Sequence, residues 1–302
     1  MTPTPRIIRT IVFAPAHDMV AIEKAVNSGV DGVVLDMEDL TPEPSKDRAR
    51  EVVPEAVNEF ATSGVVMMAR TNTLASGRCA EDLDAIVSPA LHCVNLPKAE
   101  SAADVQTFAR LLDAAEEANG VDIGATLVRP VIETAAGVKW AYEIAAASPR
   151  VTYMGGVAGG FWGDLGASLG VVPSPDGRES LYLRSKVLVD VRAAGVRYPI
   201  GGGVTARTDL DGIREFMIEN KQIGYTGAHC APSRAVIEVV NEVFTPTRDE
   251  IADWCERIPI LEEAKREGKV AFMHDGRMYD TAGLDRIRDQ LALATHLGLL
   301  EG

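Results

Sequence analysis

Short β-branched runs alternate along this chain with amphipathic segments, one strand-plus-helix unit about every 25–30 residues, and that rhythm limits the fold more than any single motif does. The strand candidates are RTIVFAP (9–15), GVVLDM (32–37), VVMMART (65–71), HCVNLPK (92–98), TLVRPVIE (126–133), VTYMGG (151–156), a weaker YPIGGG (198–203) and IGYTGAHC (223–230). Helical patterns lie between them at 19–29, 47–61, 102–118 and 210–221. Pro54 interrupts the second of these, so a late start or a kink is expected there. Eight strands alternating with helices over about 230 residues predict an α/β fold of the (β/α)8 TIM-barrel type. An open doubly wound sheet usually carries a phosphate-binding glycine turn after its first strand, and no GxGxxG follows strand one here. Periodicity alone leaves closure of the sheet open.

The tone changes at FTPTRDEIADWCERIPILEEAKREGKV (244–270), a charged helical segment, and continues through an Asp275-Gly276 turn to a last helix ending near 298. The expected division is a barrel domain over 1–245 and a C-terminal helical extension over 246–302 that caps the barrel or reaches a neighbouring subunit. A chain of 302 residues, 46% of them hydrophobic, has enough apolar material for a sizeable core. Its formal charge of −14 argues against nucleic-acid or anionic-membrane binding, although a local basic pocket for a phosphorylated ligand is not excluded. MTPTPRIIRT lacks the apolar segment of a signal peptide and no stretch approaches the roughly 18 apolar residues of a membrane span, so a cytoplasmic location is expected. Cys79, Cys93, Cys230 and Cys255 show no CxxC spacing and read as free thiols.

In a barrel the chemistry sits at the C-terminal ends of the strands. Polar residues gather there: Asp36, Glu38 and Asp39 in VVLDMEDL, Arg70 and Asn72 after strand three, Lys98 after strand four, Glu133 after strand five, and Asp164 beyond the loop GGVAGGFWGDLG. Neither Glu133 nor Asp164 has a cationic neighbour in sequence. Such carboxylates suit Mg²⁺, a hard ion that keeps several waters; capping of the helices that follow is the alternative. Arg70 offers a planar fork to a substrate carboxylate or carbonyl, or forms a buried salt bridge to Asp36 or Glu38. Lys98 either touches substrate or neutralises the acids. His17 is a ligand contact or a plain loop histidine. His229 and Cys230 are adjacent on a strand and point to opposite faces, which disfavours a catalytic pair. Glycines 155, 156, 159, 160 and 163 permit close backbone approach to a ligand.

RTIVFAPAHDMVAIEKAVNSGVDGVVLDMEDLTPEPSKDRAR resembles the opening of citrate lyase beta-subunit-like proteins, and the likeness continues through ART (69–71), LPKAES (96–101), VIETAAGV (131–138), GDLGASLG (163–170), VNEVFTPT (240–247) and DGRMYD (275–280). These motifs cover nearly the whole chain in order. They resemble the HpcH/HpaI aldolase superfamily, which includes malyl-CoA and citramalyl-CoA lyases. The resemblance implies a Mg²⁺-dependent carbon–carbon lyase with Glu133 and Asp164 as metal ligands and Arg70 on the carboxylate or enolate fragment. It also implies that Lys98, Gly163 and His17 are substrate contacts, and that Asp280 is an acid/base delivered to a neighbouring subunit's site in a trimer or hexamer. Asp36, Glu38 and Asp39 then position Arg70 and metal-bound water rather than ligate the ion. The expected substrate is a β-hydroxyacyl-CoA. Alternatives are a coenzyme A-independent aldolase with His17 as base, a malyl-CoA thioesterase or malate synthase-like activity, or a non-catalytic CoA-ester-binding subunit. Two departures put the substrate in question: Pro15-Ala16-His17-Asp18 replaces a P-G-N-like loop, and TGAHCAPS lacks the Lys and His-Pro of the pattern G-K-x-x-I-H-P.

Overall fold

Parallel pairing of neighbouring strands turns the sequence rhythm into a barrel. The structure is a computed structural model that describes residues 6–156, 163–174, 176–203 and 209–300. Two compact units are present, Met1–Phe244 and Thr245–Gly302. In the first, β1 (Thr10–Pro15), β2 (Gly32–Asp36), β3 (Val66–Arg70), β4 (Cys93–Leu96) and β5 (Leu127–Pro130) lie side by side in chain order. On the other flank of β1 stands β7 (Gly227–His229), followed by β6 (Ile200–Gly201). All of these pairs are parallel. The gap between β5 and β6 is filled by residues 151–155, which bridge Val128 through Val151 and Ile200 through Gly155. Eight rungs therefore form a ring, the expected (β/α)8 architecture. The sixth rung is held by those two bridges rather than a full ladder, and the seventh strand, already the weakest in sequence, shortens to Ile200–Gly201.

Helices α1 (Met19–Val26), α2 (Lys46–Glu59), α3 (Cys79–Ile86), α4 (Ala102–Ala118), α5 (Ala135–Lys139), α6 (Ala141–Ala145), α7 (Asp164–Leu169), α8 (Leu181–Ala193), α9 (Leu210–Ile223) and α10 (Arg234–Phe244) connect the rungs. Local signals start several of them: Asp18 caps α1, and Ser101 with Asp104 forms a capping box on α4. Pro54 neither delays nor ends α2, because Ala49, Val52, Val53, Ala56 and Val57 form a buried stripe that holds both sides of the proline to the core. The outward faces of the strands, for example Leu35, Ala69, Val94 and Val128, join these helices in the main apolar layer. The inward faces form a smaller cluster around Ile11, Val34, Met68, Cys93, Leu127, Tyr153 and Ile200.

The second unit holds α11 (Arg248–Arg266), a hairpin of β8 (Ala271–His274) and β9 (Arg277–Asp280), and α12 (Leu284–His296). Thr247 and Glu250 form the capping box that starts α11. The extension is thus not purely helical. Asp275 and Gly276 take φ of 49° and 75°, the left-handed pair that joins two strands with a matching twist. Leu261, Tyr279, Leu284 and Ile287 give this unit its own small core. No helix among the described residues is long and apolar enough to cross a membrane.

Ring closure depends on Gly155, which has φ of 145° and whose added Cβ would stand 2.3 Å from the Ile200 carbonyl oxygen. Gly155→Ala is therefore expected to lose at least about 2 kcal/mol of unfolding free energy, from strain and a backbone clash together. An unchanged urea midpoint would contradict the closed ring.

Candidate active site

The register that builds the barrel also builds a polar layer inside it. Side chains two residues apart on a strand share a face. Val34, Met68, Cys93 and Leu127 form one inward row, and Asp36, Arg70, Asn95 and Arg129 form the next row toward the C-terminal ends. The interior thus changes from apolar to polar within one step, and all four polar members of that row are 5% exposed or less.

Asp36 and Arg70 are register partners on β2 and β3, and their side chains meet in a two-pronged pair, Nε to Oδ1 at 2.8 Å and Nη2 to Oδ2 at 2.6 Å. The same Asp36 oxygens accept the backbone N–H groups of Glu38 and Leu40, which fixes the turn after β2. That turn brings Glu38 to 3.0 Å and Asp39 to 3.2 Å from Arg70, and Glu133 reaches Nη1 at 3.2 Å from the far side. Lys46, on α2, donates to the carbonyls of Met37 and Glu38 and pins the turn from below. Burial opposes charge on Arg70, yet the hydrogen bond and charge of Asp36, with Glu133 and Glu38 adding to them, hold the guanidinium well above its ordinary pKa.

Lys98 has φ of 51°, unusual for a residue with a Cβ. That turn lets its backbone N–H donate to Glu133 at 3.2 Å while its ammonium spans Glu38 at 3.0 Å and Asp164 at 2.8 Å. Glu133 and Asp164 therefore do have cationic partners, Arg70 and Lys98, which the linear sequence hid. Nor are they the helix caps: Thr134 caps α5 with its own hydroxyl, and Gly163 occupies the cap position of α7 with Asp164 as the first helical residue. His17 is half-buried with Nδ1 3.4 Å from the Thr41 hydroxyl. Asn72 turns to Asp82 on α3, which also receives Arg50. Cys230 is kept protonated by burial, which pushes its thiol up to about 12, so a Cys230–His229 nucleophile is not formed. Asp280 ends β9 in the second unit, where its side chain accepts the backbone N–H of Ala282. Gly159, Gly160, Phe161 and Trp162 lie outside the described residues.

The sequence profile of the family described as HpcH/HpaI aldolase/citrate lyase matches residues 9–232. The chain belongs to this family. Citrate lyase subunit beta of Leuconostoc mesenteroides subsp. cremoris is 32% identical over 98% of this chain and 97% of its own. L-malyl-CoA/beta-methylmalyl-CoA lyase of Rhodobacter capsulatus is 28% identical over 92% of each chain. Among solved structures, the CitE protein of Mycobacterium tuberculosis in complex with magnesium, acetoacetate and coenzyme A aligns with a TM-score of 0.68 and 26% identity, covering 96% of this chain and 98% of that one.

In this HpcH/HpaI barrel five carboxylates, Asp36, Glu38, Asp39, Glu133 and Asp164, share two cations, Arg70 and Lys98. Burial pushes the Glu38 and Glu133 carboxyls above the ordinary carboxylate range despite Arg70, and neighbouring acids add to the effect. The donor set at the rim is hard oxygen. Among the described residues no group of three or more His, Cys, Asp or Glu forms a metal cage; oxygens of this kind suit an ion that takes one or two carboxylates and completes its shell with water. Missing from the sequence-based candidates were Phe13, over which Arg70 lies at 5.0 Å, and the two polar residues Asn95 and Arg129. The available signal was Arg129 itself, a charge inside LVRP two residues from an inward-facing leucine.

Arg70→Met leaves the fully buried Asp36 without its counter-charge and is expected to cost about 3–5 kcal/mol at neutral pH in urea unfolding. Glu38, although paired with Arg70 and Lys98, predicts a pH effect of the opposite kind from an acid whose partners outweigh its burial. Its folded pKa is raised, so the folded state binds more protons and stability falls as pH rises from the ordinary carboxylate range through the folded value. Glu38→Gln should flatten that part of a melting-temperature against pH curve; a curve parallel to wild type would contradict it.

Proposed function

We propose that this protein is a Mg²⁺-dependent carbon–carbon lyase that cleaves, or in reverse forms, a β-hydroxyacyl-CoA such as malyl-CoA or citramalyl-CoA, giving an acyl-CoA and a 2-keto acid. The observation that carries the reading is the excess of five carboxylates over the two cations that pair with them, Arg70 and Lys98, and the one cation beneath them, Lys46. Negative charge in excess calls for a cation, and a guanidinium beside it can receive an oxyanion. The lyase relative from Rhodobacter capsulatus and the magnesium, acetoacetate and coenzyme A complex from Mycobacterium tuberculosis support the same choice of ligands.

Glu133 and Asp164 would hold the ion, which when bound supplies Lewis-acid polarisation of the 2-keto carbonyl. The chain's own residues do the rest. In the cleavage direction a base takes the proton of the β-hydroxyl, the carbon–carbon bond breaks, and its electron pair becomes an acyl-CoA enolate that is then protonated at carbon. Asp280 from a neighbouring subunit is the acid/base for these transfers. Arg70 stabilises the enolate or carboxylate oxygen. Its contacts to Asp39 and Glu133, 3.2 Å each, are longer than those to Asp36 and Glu38, so an incoming oxygen displaces these first. Lys98 and Gly163 line the approach, with His17 on the first strand's loop.

Purified protein should cleave a CoA thioester from a panel of malyl-type esters and free hydroxy-keto acids, and lose turnover on chelation. Activity untouched by EDTA would remove the metal, and cleavage confined to the free acids would remove coenzyme A. Glu133→Gln and Asp164→Asn should each weaken Mg²⁺ binding in calorimetry by more than about 100-fold, since losing even a group that only orients a ligand costs 10–100-fold. Asp280→Asn should lower kcat by about 10²–10⁴-fold, the usual weight of a positioned acid or base. Mixing Asp280→Asn with Glu133→Gln subunits should restore part of the activity; no recovery, or a monomer by light scattering, would sink the shared site.

A further inference from the structure

Below the rim acids, the inward row ends in an arginine that forms no ion pair among the described residues, Glu133 acting on it only at a distance. Arg129 is 1% exposed, and among the described residues no carboxylate pairs with it. Its Nε and Nη1 have no hydrogen-bond partner, and its Nη2 donates to Nε2 of His229. Because Nε2 accepts, the ring proton of His229 sits on Nδ1, which is buried and also without a partner. Asn95, the register partner of Arg129 and 0% exposed, leaves both its amide nitrogen and its amide oxygen unpaired. Unpaired groups in this cluster are thus chiefly donors. Burial pushes the Arg129 guanidinium down to about 10, so it is still charged at neutral pH, and the nearby Arg70 and Arg129 together with burial keep His229 neutral.

A buried positive charge without a partner is costly, and buried polar groups are ordinarily satisfied. Three further facts tie the cluster to the acids at the rim. Arg129 lies in the same inward row as Arg70, one strand beyond Asn95. Arg70 lies over Phe13 at 5.0 Å, and Phe13 stacks on His229 at 5.0 Å with an 18° interplanar angle, so one continuous stack joins the two guanidinium groups. A Cβ on Gly156, which follows the closing rung, would lie only 3.5 Å from Arg129 Nη2. Glycine there puts no side chain against the guanidinium on that side.

We propose that Arg129, with Asn95 and His229, is the floor of the substrate pocket and receives a carboxylate of the ligand, so that the enzyme takes a 2-keto dicarboxylate in preference to a 2-keto monocarboxylate. The proposal rests on the lyase reading for which end of the substrate enters, and narrows that reading to acyl-CoA esters whose keto fragment keeps a second carboxylate, in place of malyl-CoA and citramalyl-CoA, whose keto fragments are monocarboxylates. The acceptor-rich, planar carboxylate matches a fork of free N–H donors, and the neutral methyl end of a monocarboxylate leaves them unmet.

The test compares the binding of oxaloacetate and pyruvate, with Mg²⁺ present, to the wild-type protein and to Arg129→Met. Wild type should favour oxaloacetate by at least about tenfold, the scale set by one charged group left unpaired, and in Arg129→Met the two should agree within about threefold. The ligand-free variant should melt at or above the wild-type temperature, since an unpaired buried charge has been replaced by a side chain of similar length; a structural arginine would lower it. Arg129→Lys keeps the charge without the fork and should retain part of the preference, which secures the test if the methionine variant does not fold. Equal affinities in wild type, or a preference untouched by either substitution, overturns the subsite while leaving the lyase reading in place. Should neither keto acid bind, succinate added to chelator-treated protein decides: a thermal shift in wild type that Arg129→Met abolishes upholds the subsite although the lyase reading falls, and no shift in wild type overturns it.

Discussion

Everything at the mouth of this barrel is arranged around the Arg70 guanidinium. Its donors face Asp36, Glu38, Asp39 and Glu133, the first at the end of β2, the next two on the turn after it and the fourth among the residues after β5. A buried guanidinium is tolerated only when its desolvation is offset by well-formed hydrogen bonds, and the two-pronged contact with Asp36 supplies the strongest of these. That contact exists because Asp36 and Arg70 are register partners. A slip of one residue between β2 and β3 would turn one of the two side chains outward into the apolar layer under the helices. Strand register and site geometry are therefore one constraint, which explains why the acids of VVLDMEDL follow the strand without an intervening glycine or proline.

Much of this was legible in the sequence because it follows from periods. The repeat of strand and helix gives the barrel, and the barrel puts Asp36 and Arg70 at strand ends facing its mouth. The partner of Lys98 was not legible, since it depends on a left-handed backbone turn at a residue type that rarely makes one. Ring closure through residues 151–155 was visible only as VTYMGG; the glycine at 155 is required by the approach of the Ile200 carbonyl, a contact between segments far apart in the chain. Arg129 was overlooked for a different reason. A single charge in an apolar run reads as noise until the row it shares with Asp36, Arg70 and Asn95 is laid out. The hairpin in the second unit was missed because its strands are mostly exposed and show no core-facing alternation, leaving only the Asp275-Gly276 turn to read.

Charge is distributed along the barrel axis in a way that neither end can satisfy alone. At the rim, acids outnumber bases, and burial already strains Glu38 and Glu133 toward their protonated forms. In the row beneath Glu133, Arg129 carries positive charge and forms no ion pair among the described residues, with Glu133 acting on it only at a distance. Rearranging side chains cannot cancel the two imbalances, because the rim acids are committed to Arg70 and Lys98 by register and by turns. A protein that only needed a stable core would do better with apolar residues at these positions. The pattern instead suits a ligand system with the opposite polarity, a cation at the rim and an anionic group at the floor. Arg70 shares the row of Arg129 and touches both the rim acids and the Phe13–His229 stack; in the proposed lyase reaction it would hold the oxygen that gains charge as the carbon–carbon bond breaks.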